Sequence, residues 1–257
     1  MTILDDIIET KRLEIKSYSD VKPEMLAYPE KTKLIDHLKS KKGVISEIKR
    51  ASPSKGDIRT EVNVLEQAKK YERAGAAAIS VLTDETYFKG SIEDLKLVAG
   101  AVSIPVLCKD FMVSEIQIDR AKAAGASIIL LIVAALDKQE LKRLFAYAES
   151  LELEVLVEVH DLKELETALQ LDAQLIGVNN RNLKTFEVSL DRTAQLAKSF
   201  PRDGKRVLIS ESGMNTKEDA AFAFSCGASG ILVGEALMRS EDPEAWILAA
   251  TGEEDSL

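Results

Sequence analysis

The sequence predicts an α/β protein, a (β/α)8 TIM barrel with an N-terminal helical extension. Eight short apolar runs rich in β-branched residues alternate with amphipathic helical patterns along the 257 residues. Alternation of that kind implies a parallel sheet. Eight strand-plus-helix units also fill a chain of this length. A doubly wound open sheet is the rival, and it usually carries a Gly-rich phosphate loop after an early strand. No GxGxxG stands in this chain.

The elements follow in order. The first forty or so residues precede the first strand, and "LDDIIETKRLEIK" has helical spacing. Residues 1–40 are read as an extension whose part before about Leu38 packs over the barrel mouth. The strand runs are "VISEIK" (44–49), "AAISVL" (77–82), "IPVLCK" (104–109), "SIILLIV" (127–133), "LEVLVEV" (153–159), "QLIGVN" (174–179), "RVLISE" (206–211) and "GILVG" (230–234). Between them lie helical patterns such as "LEQAKKYERA" and "KQELKRLFAYAESL". Gly75, Gly125 and Gly227 stand where a helix ends before a strand, a place for the left-handed C-cap that Gly tolerates best. Asp172 takes the same place before the sixth strand. No Gly/Ser/Pro-rich linker marks a boundary, so residues 1–257 are expected to form one domain.

Composition narrows the function. The chain is 46% hydrophobic and 30% charged, with a net charge of -9 and a pI near 5.0. A basic footprint for nucleic acid is absent, and no Lys/Arg-rich run suits an anionic membrane. No run approaches the roughly 20 apolar residues of a membrane span. The N-terminal stretch is charged and helix-periodic, unlike a secretory signal. The expectation is a cytoplasmic protein with free thiols at Cys108 and Cys226. His37 and His160 are the only histidines, and no Cys/His cluster has metal-ligand spacing, so no metal site is expected.

Strand parity locates the chemistry. Ile45, Glu47 and Lys49 are two apart and share one side of the first strand. Active sites of such barrels lie at the C-terminal ends of the strands. Polar residues indeed gather there: Glu47 and Lys49, Lys109, Glu158, Asn179 with Arg181 just beyond, and Glu211 followed by Ser212. Each has a plainer reading. Glu47 and Lys49 could be a structural ion pair, Lys109 could reach solvent, and Glu158 could be a satisfied core carboxylate. Five strands placing polar groups at one end is the stronger observation. His160 reads as a rim residue, and Cys108 has outward parity and reads as packing. Gly213 and Gly234 sit in the turns after the last two strands, where backbone N–H groups commonly hold a phosphate. Tight turns alone would also explain them.

The motifs "EIKRASPSKG", "LCKDF", "LLIVAAL", "VEVH", "GVNNRNLKTFEV", "SESGM" and "GEALMR", in this order along the whole chain, resemble indole-3-glycerol phosphate synthase. The resemblance implies a lyase of tryptophan biosynthesis. It would close the ring of 1-(o-carboxyphenylamino)-1-deoxyribulose 5-phosphate, release carbon dioxide and water, and need no cofactor. By position, it implies Lys109 as general acid and Glu158 as general base. Lys49 would contact the substrate and assist proton transfer, and Glu47 would orient the lysines. Ser52, Asn179, Arg181, Glu211 and Ser212 would bind substrate, with Arg181 near its carboxylate. Gly213 and Gly234 would hold the phosphate, and Phe88 and Phe111 would wall the anthranilate ring. A monomer binding only this small phosphorylated, anthranilate-derived substrate is expected. A Schiff-base aldolase, phosphoribosylanthranilate isomerase and a non-catalytic phosphate sensor are the alternatives on the same fold.

Overall fold

The computed structural model describes residues 2–18, 23–24 and 27–252. Eight parallel strands close into a barrel: β1 (Gly43–Ile48), β2 (Ala78–Leu82), β3 (Val106–Lys109), β4 (Ile128–Ile132), β5 (Glu154–Val159), β6 (Leu175–Asn179), β7 (Val207–Glu211) and β8 (Gly230–Val233). Each pairs with its neighbours in sequence, and β8 closes on β1 through Gly43↔Gly230 to Ser46↔Val233. Helices α1 (Ile3–Glu14) and α2 (Leu34–Ser40) precede the barrel. The crossovers carry α3 (Val64–Arg73), α4 (Glu85–Phe88), α5 (Ile92–Ala101), α6 (Glu115–Ala123), α7 (Lys138–Ser150), α8 (Leu162–Gln170), α9 (Asp191–Ala197) and α10 (Lys217–Ser225). After β8 come α11 (Glu235–Arg239) and α12 (Pro243–Thr251). Among the described residues, no helix is long and apolar enough to cross a membrane.

Local chemistry sets the boundaries. Asn63, Asp137, Asp161 and Thr216 cap helices by accepting N–H bonds in the first turn. Gly75, Gly125 and Gly227 adopt positive φ angles of 82°, 88° and 103°, and Asp172 joins them at 59°. These are the left-handed exits expected from the sequence.

Alternating parity divides the core in two. Outward residues such as Val44, Ile48 and Cys108 pack against the helices. Burial pushes the Cys108 thiol up to about 12, in keeping with a packing role. Inward residues fill the barrel in layers drawn from alternate strands. Ile45, Leu107, Leu156 and Ile209 come from β1, β3, β5 and β7 and belong to the inner cluster. Two residues further along the same four strands stand Glu47, Lys109, Glu158 and Glu211. The layer that would next be apolar is ionic instead.

The extension divides between the two ends. Helix α1 lies at the mouth, with Leu4 and Ile7 buried. Its Lys11 is fully buried, with Nζ 2.9 Å from Asp84, 3.0 Å from Asp110 and 3.0 Å from Glu14. Helix α2 does not join it there. Leu34, Ile35 and Leu38 belong to the inner cluster and close the opposite end. Leu38 fits because Gly43 and Gly230 lack side chains: an added Cβ would lie 2.7 Å and 3.0 Å from it. The expectation that the extension packs over the mouth as far as about Leu38 is thus corrected for α2. An apolar stripe suits the barrel floor, whereas the buried ammonium of Lys11 requires the carboxylates of the mouth loops.

Glu154, at the start of β5, fixes α2 by accepting the N–H groups of Leu34 (2.8 Å) and Ile35 (2.9 Å). Glu154→Ala should therefore cost about 1 kcal/mol, as for other lost helix caps. Calorimetry should show a Tm lower by about 2–4 °C. The turnover number should stay unchanged, since α2 is remote from the mouth.

Candidate active site

A cavity of about 430 Å³ opens at the C-terminal ends of the strands. Every candidate lines it: Glu47, Lys49, Ser52, Phe88, Lys109, Phe111, Glu158, Asn179, Arg181, Glu211, Ser212, Gly213 and Gly234. Ile3, Leu4 and Ile7 of α1 add an apolar side. The rings of Phe88 and Phe111 meet with centroids 5.9 Å apart and planes tilted by 36°. Asp84 places Phe88 by accepting the N–H groups of Tyr87 and Phe88. Lys11 holds both Asp84 and Asp110, the residue beside Lys109, so α1 is tied to the wall it covers.

The centre is ionic. Lys109 Nζ stands 3.4 Å from Glu211, 3.9 Å from Glu47 and 4.0 Å from Glu158. Burial opposes its charge, but the three carboxylates outweigh burial and raise its pKa above the ordinary lysine value. Glu47 lies 2.7 Å from Lys49 Nζ and accepts a 3.3 Å bond from Ser80. Burial opposes its ionisation too, but Lys49 and Lys109 hold its pKa below the usual carboxylate value. Glu211 differs. Burial, aided by Glu158 and Glu47, pushes it up to about 7 against the pull of Lys109. Both its oxygens are buried without a hydrogen bond. Within the cluster, burial thus raises the Glu211 carboxyl while the surrounding carboxylates favour the charged form of Lys109.

Two glycines make room for this cluster. A Cβ on Gly177 would lie 2.0 Å from Glu211 Oε1. A Cβ on Gly234 would lie 2.6 Å from Glu47 Oε1 and 3.1 Å from Lys49 Nζ. Gly234 was expected as a close approach to phosphate or a tight turn, and the structure gives it a further task. Glu235 beside it is paired with Arg239 (3.1 Å) and Lys55 (3.7 Å), which answers its negative charge at this turn. Ser212 and Gly213 turn through consecutive positive φ angles of 64° and 86°.

Sequence reasoning missed three features. Asn180 is fully buried and joins two strand ends. Its amide donates to Ser210 Oγ, Glu211 O and Ser212 O, and its carbonyl accepts from Thr193. The Asn doublet at the end of β6 was its only signal. The loop beyond it brings Leu183, Phe186 and Val188 to the rim. The third is Lys11, a charge on the buried face of α1, which a hydrophobic pattern does not reveal.

A (β/α)8 barrel with an ammonium set among three carboxylates at its catalytic mouth has the makings of an acid–base enzyme. The comparisons specify the family. The indole-3-glycerol phosphate synthase family model matches residues 4–249. An indole-3-glycerol phosphate synthase of Exiguobacterium sibiricum is 54% identical over 257 residues, covering 98% of each chain. One from Oceanobacillus iheyensis is 51% identical over 248 residues, covering 95% of this chain and 94% of that one. This chain belongs to the indole-3-glycerol phosphate synthase family. The fold recurs more widely. A 3-hexulose-6-phosphate synthase from Salmonella typhimurium aligns with TM-score 0.66 at 12% identity, over 82% of this chain and 97% of its own. A thiamine phosphate pyrophosphorylase from Pyrococcus furiosus aligns with TM-score 0.62 at 18% identity, over 84% and 98%.

The glycine contact and the proton on Glu211 can both be checked. Gly177→Ala should displace the Glu211 carboxylate and lower stability by about 1–3 kcal/mol, the usual cost of overpacking. In the parent protein, carboxyl ¹³C NMR should show one glutamate titrating near 7, and Glu211→Gln should remove that signal. Lys109→Met should move it higher, since the ammonium is what holds it down. A midpoint unchanged by Lys109→Met would contradict this account.

Proposed function

We propose that this protein converts 1-(o-carboxyphenylamino)-1-deoxyribulose 5-phosphate to indole-3-glycerol phosphate, with Lys109 as general acid and Glu158 as general base. It acts as a lyase of tryptophan biosynthesis. One observation carries the residue assignment: a charged, largely buried lysine stands beside a buried glutamate at the centre of a cavity with an aromatic wall.

The chemistry follows from that placement. Lys109 donates a proton to the ketone oxygen while an aromatic carbon attacks the carbonyl carbon. Loss of carbon dioxide leaves its bonding electrons in the ring system. The new hydroxyl, protonated again by an ammonium, departs as water while Glu158 takes a proton from the adjacent carbon. Two protons are given and one is taken, which matches the net uptake of one proton when a carboxylate leaves as carbon dioxide. Lys49 contacts the substrate and assists protonation, and Glu47 orients both lysines. Arg181 and Asn179 position the carboxylate-bearing ring against the wall formed by Phe88 and Phe111. Ser52, Glu211 and Ser212 contact the substrate, and the turns at Gly213 and Gly234 receive the phosphate. The raised pKa of Lys109 favours an acid over a Schiff-base nucleophile, which needs a neutral amine. We read the protein as acting as a monomer. We place it in the cytoplasm, working without a cofactor.

Indole fluorescence should rise when the protein meets the named substrate. Lys109→Ala should lower the single-turnover rate by about 10²–10⁴-fold, the loss associated with a missing general acid, with a smaller effect on binding. Glu158→Gln should slow dehydration most and let an earlier species accumulate. Wild-type chemistry in Lys109→Ala would shift the assignment to Lys49 and Glu47.

A further inference from the structure

His160 follows β5, two residues beyond Glu158, and is not among the residues lining the cavity. Its side chain is only 13% exposed. One ring nitrogen, Nδ1, is 3.0 Å from Glu164 Oε2. The same oxygen accepts the backbone N–H of His160 at 2.7 Å. The other nitrogen, Nε2, faces Glu158 Oε1 at 3.4 Å and makes no hydrogen bond. The imidazole thus stands between two carboxylates.

A neutral imidazole has one N–H. If Nδ1 carries it, as the bond to an ionised Glu164 requires, Nε2 turns a lone pair toward a carboxylate. A second proton on the ring turns that repulsion into attraction. The groups facing the ring are Glu158 from β5, Glu164 from α8 and the Arg192 guanidinium from α9. Burial and Arg192 oppose the cation. Glu164 and Glu158 outweigh them and raise the His160 pKa above its ordinary value.

The consequence reaches the proposed base. Glu158 Oε1 is occupied by Asn179 Nδ2, which donates at 3.0 Å, and by the facing imidazole. Oε2 is left toward Lys109 and the cavity. We propose that His160 and Glu164 are positioning residues: they hold Glu158 from its Oε1 side and so present Oε2 to the substrate. This rests on Glu158 being the base. Glu164 exerts its effect from outside the cavity, through the proton it secures on His160.

Two measurements test this, and one needs no substrate. The chain has only two histidines, His37 and His160, so their imidazole signals can be followed separately by NMR. Glu164→Gln keeps an acceptor for the His160 backbone but removes the charge. It should lower the His160 titration midpoint by about one unit, as loss of an adjacent opposite charge does, and leave His37 unmoved. In single-turnover kinetics, Glu164→Gln and His160→Asn should slow dehydration more than ring closure and let the same earlier species accumulate as in Glu158→Gln. The imidazole that holds Glu158 Oε1 is less firmly fixed in one and gone in the other. KM should change less than twofold. An unmoved His160 midpoint would overturn the proposal, and so would an equal slowing of ring closure and dehydration, which marks a merely structural role. An inactive parent protein would instead overturn the proposed reaction and leave the NMR result standing by itself.

Discussion

The Lys109 ammonium, enclosed by Glu47, Glu158 and Glu211, is the constraint on which the rest of the mouth depends. Three carboxylates brought together out of water repel one another and lose hydration, a cost of several kcal/mol for each unpaired charge. One cation at their centre, with Lys49 against Glu47, makes the arrangement tolerable. Burial raises the pKa of Glu211, which eases the repulsion among the three carboxylates. The glycines at 177 and 234 follow from the same demand, since any side chain there would strike a carboxylate.

The barrel separates two requirements along one axis. Its lower layers are apolar and are closed by α2, where Leu34, Ile35 and Leu38 complete the inner core. Its uppermost odd-strand layer is ionic and open to the cavity. The same four strands supply both, two residues apart, so the rigidity of the apolar layer is transmitted directly to the charged one. Helix α1 lies over the ionic end and is itself held by ion pairs, while α2 closes the apolar end with leucine and isoleucine.

Much of this was legible from residues taken in order. The β-branched runs located all eight strands, and strand parity put Glu47, Lys109, Glu158 and Glu211 on one inner face. Parity also set Cys108 outside. What escaped were interactions whose partners lie far apart in the chain. Lys11 looks like any surface lysine until Asp84 and Asp110 arrive from the loops after β2 and β3. Asn180 looks like a loop residue until Ser210 and Thr193 surround it. The destination of α2 depended on Glu154 and on two glycines that open the barrel floor. His160 is a different case: its partners Glu158 and Glu164 are near in sequence, but the turn from β5 into α8 that folds both onto the imidazole is not written in the residue pattern.

The anchoring of the two leading helices bears on how the chain matures during translation. Helix α1 leaves the ribosome long before Asp84 and Asp110 exist, and α2 long before Glu154. Both must wait, with apolar faces uncovered, for strands still to be made. The floor cannot be sealed until β5 has emerged, and the barrel cannot close until β8 pairs with β1. Vectorial synthesis therefore makes the nascent chain most vulnerable to misassociation at its leading end. The same dependence delays assembly of the ionic mouth until β7 has brought Glu211 to Lys109, so a half-made chain holds no complete reactive centre.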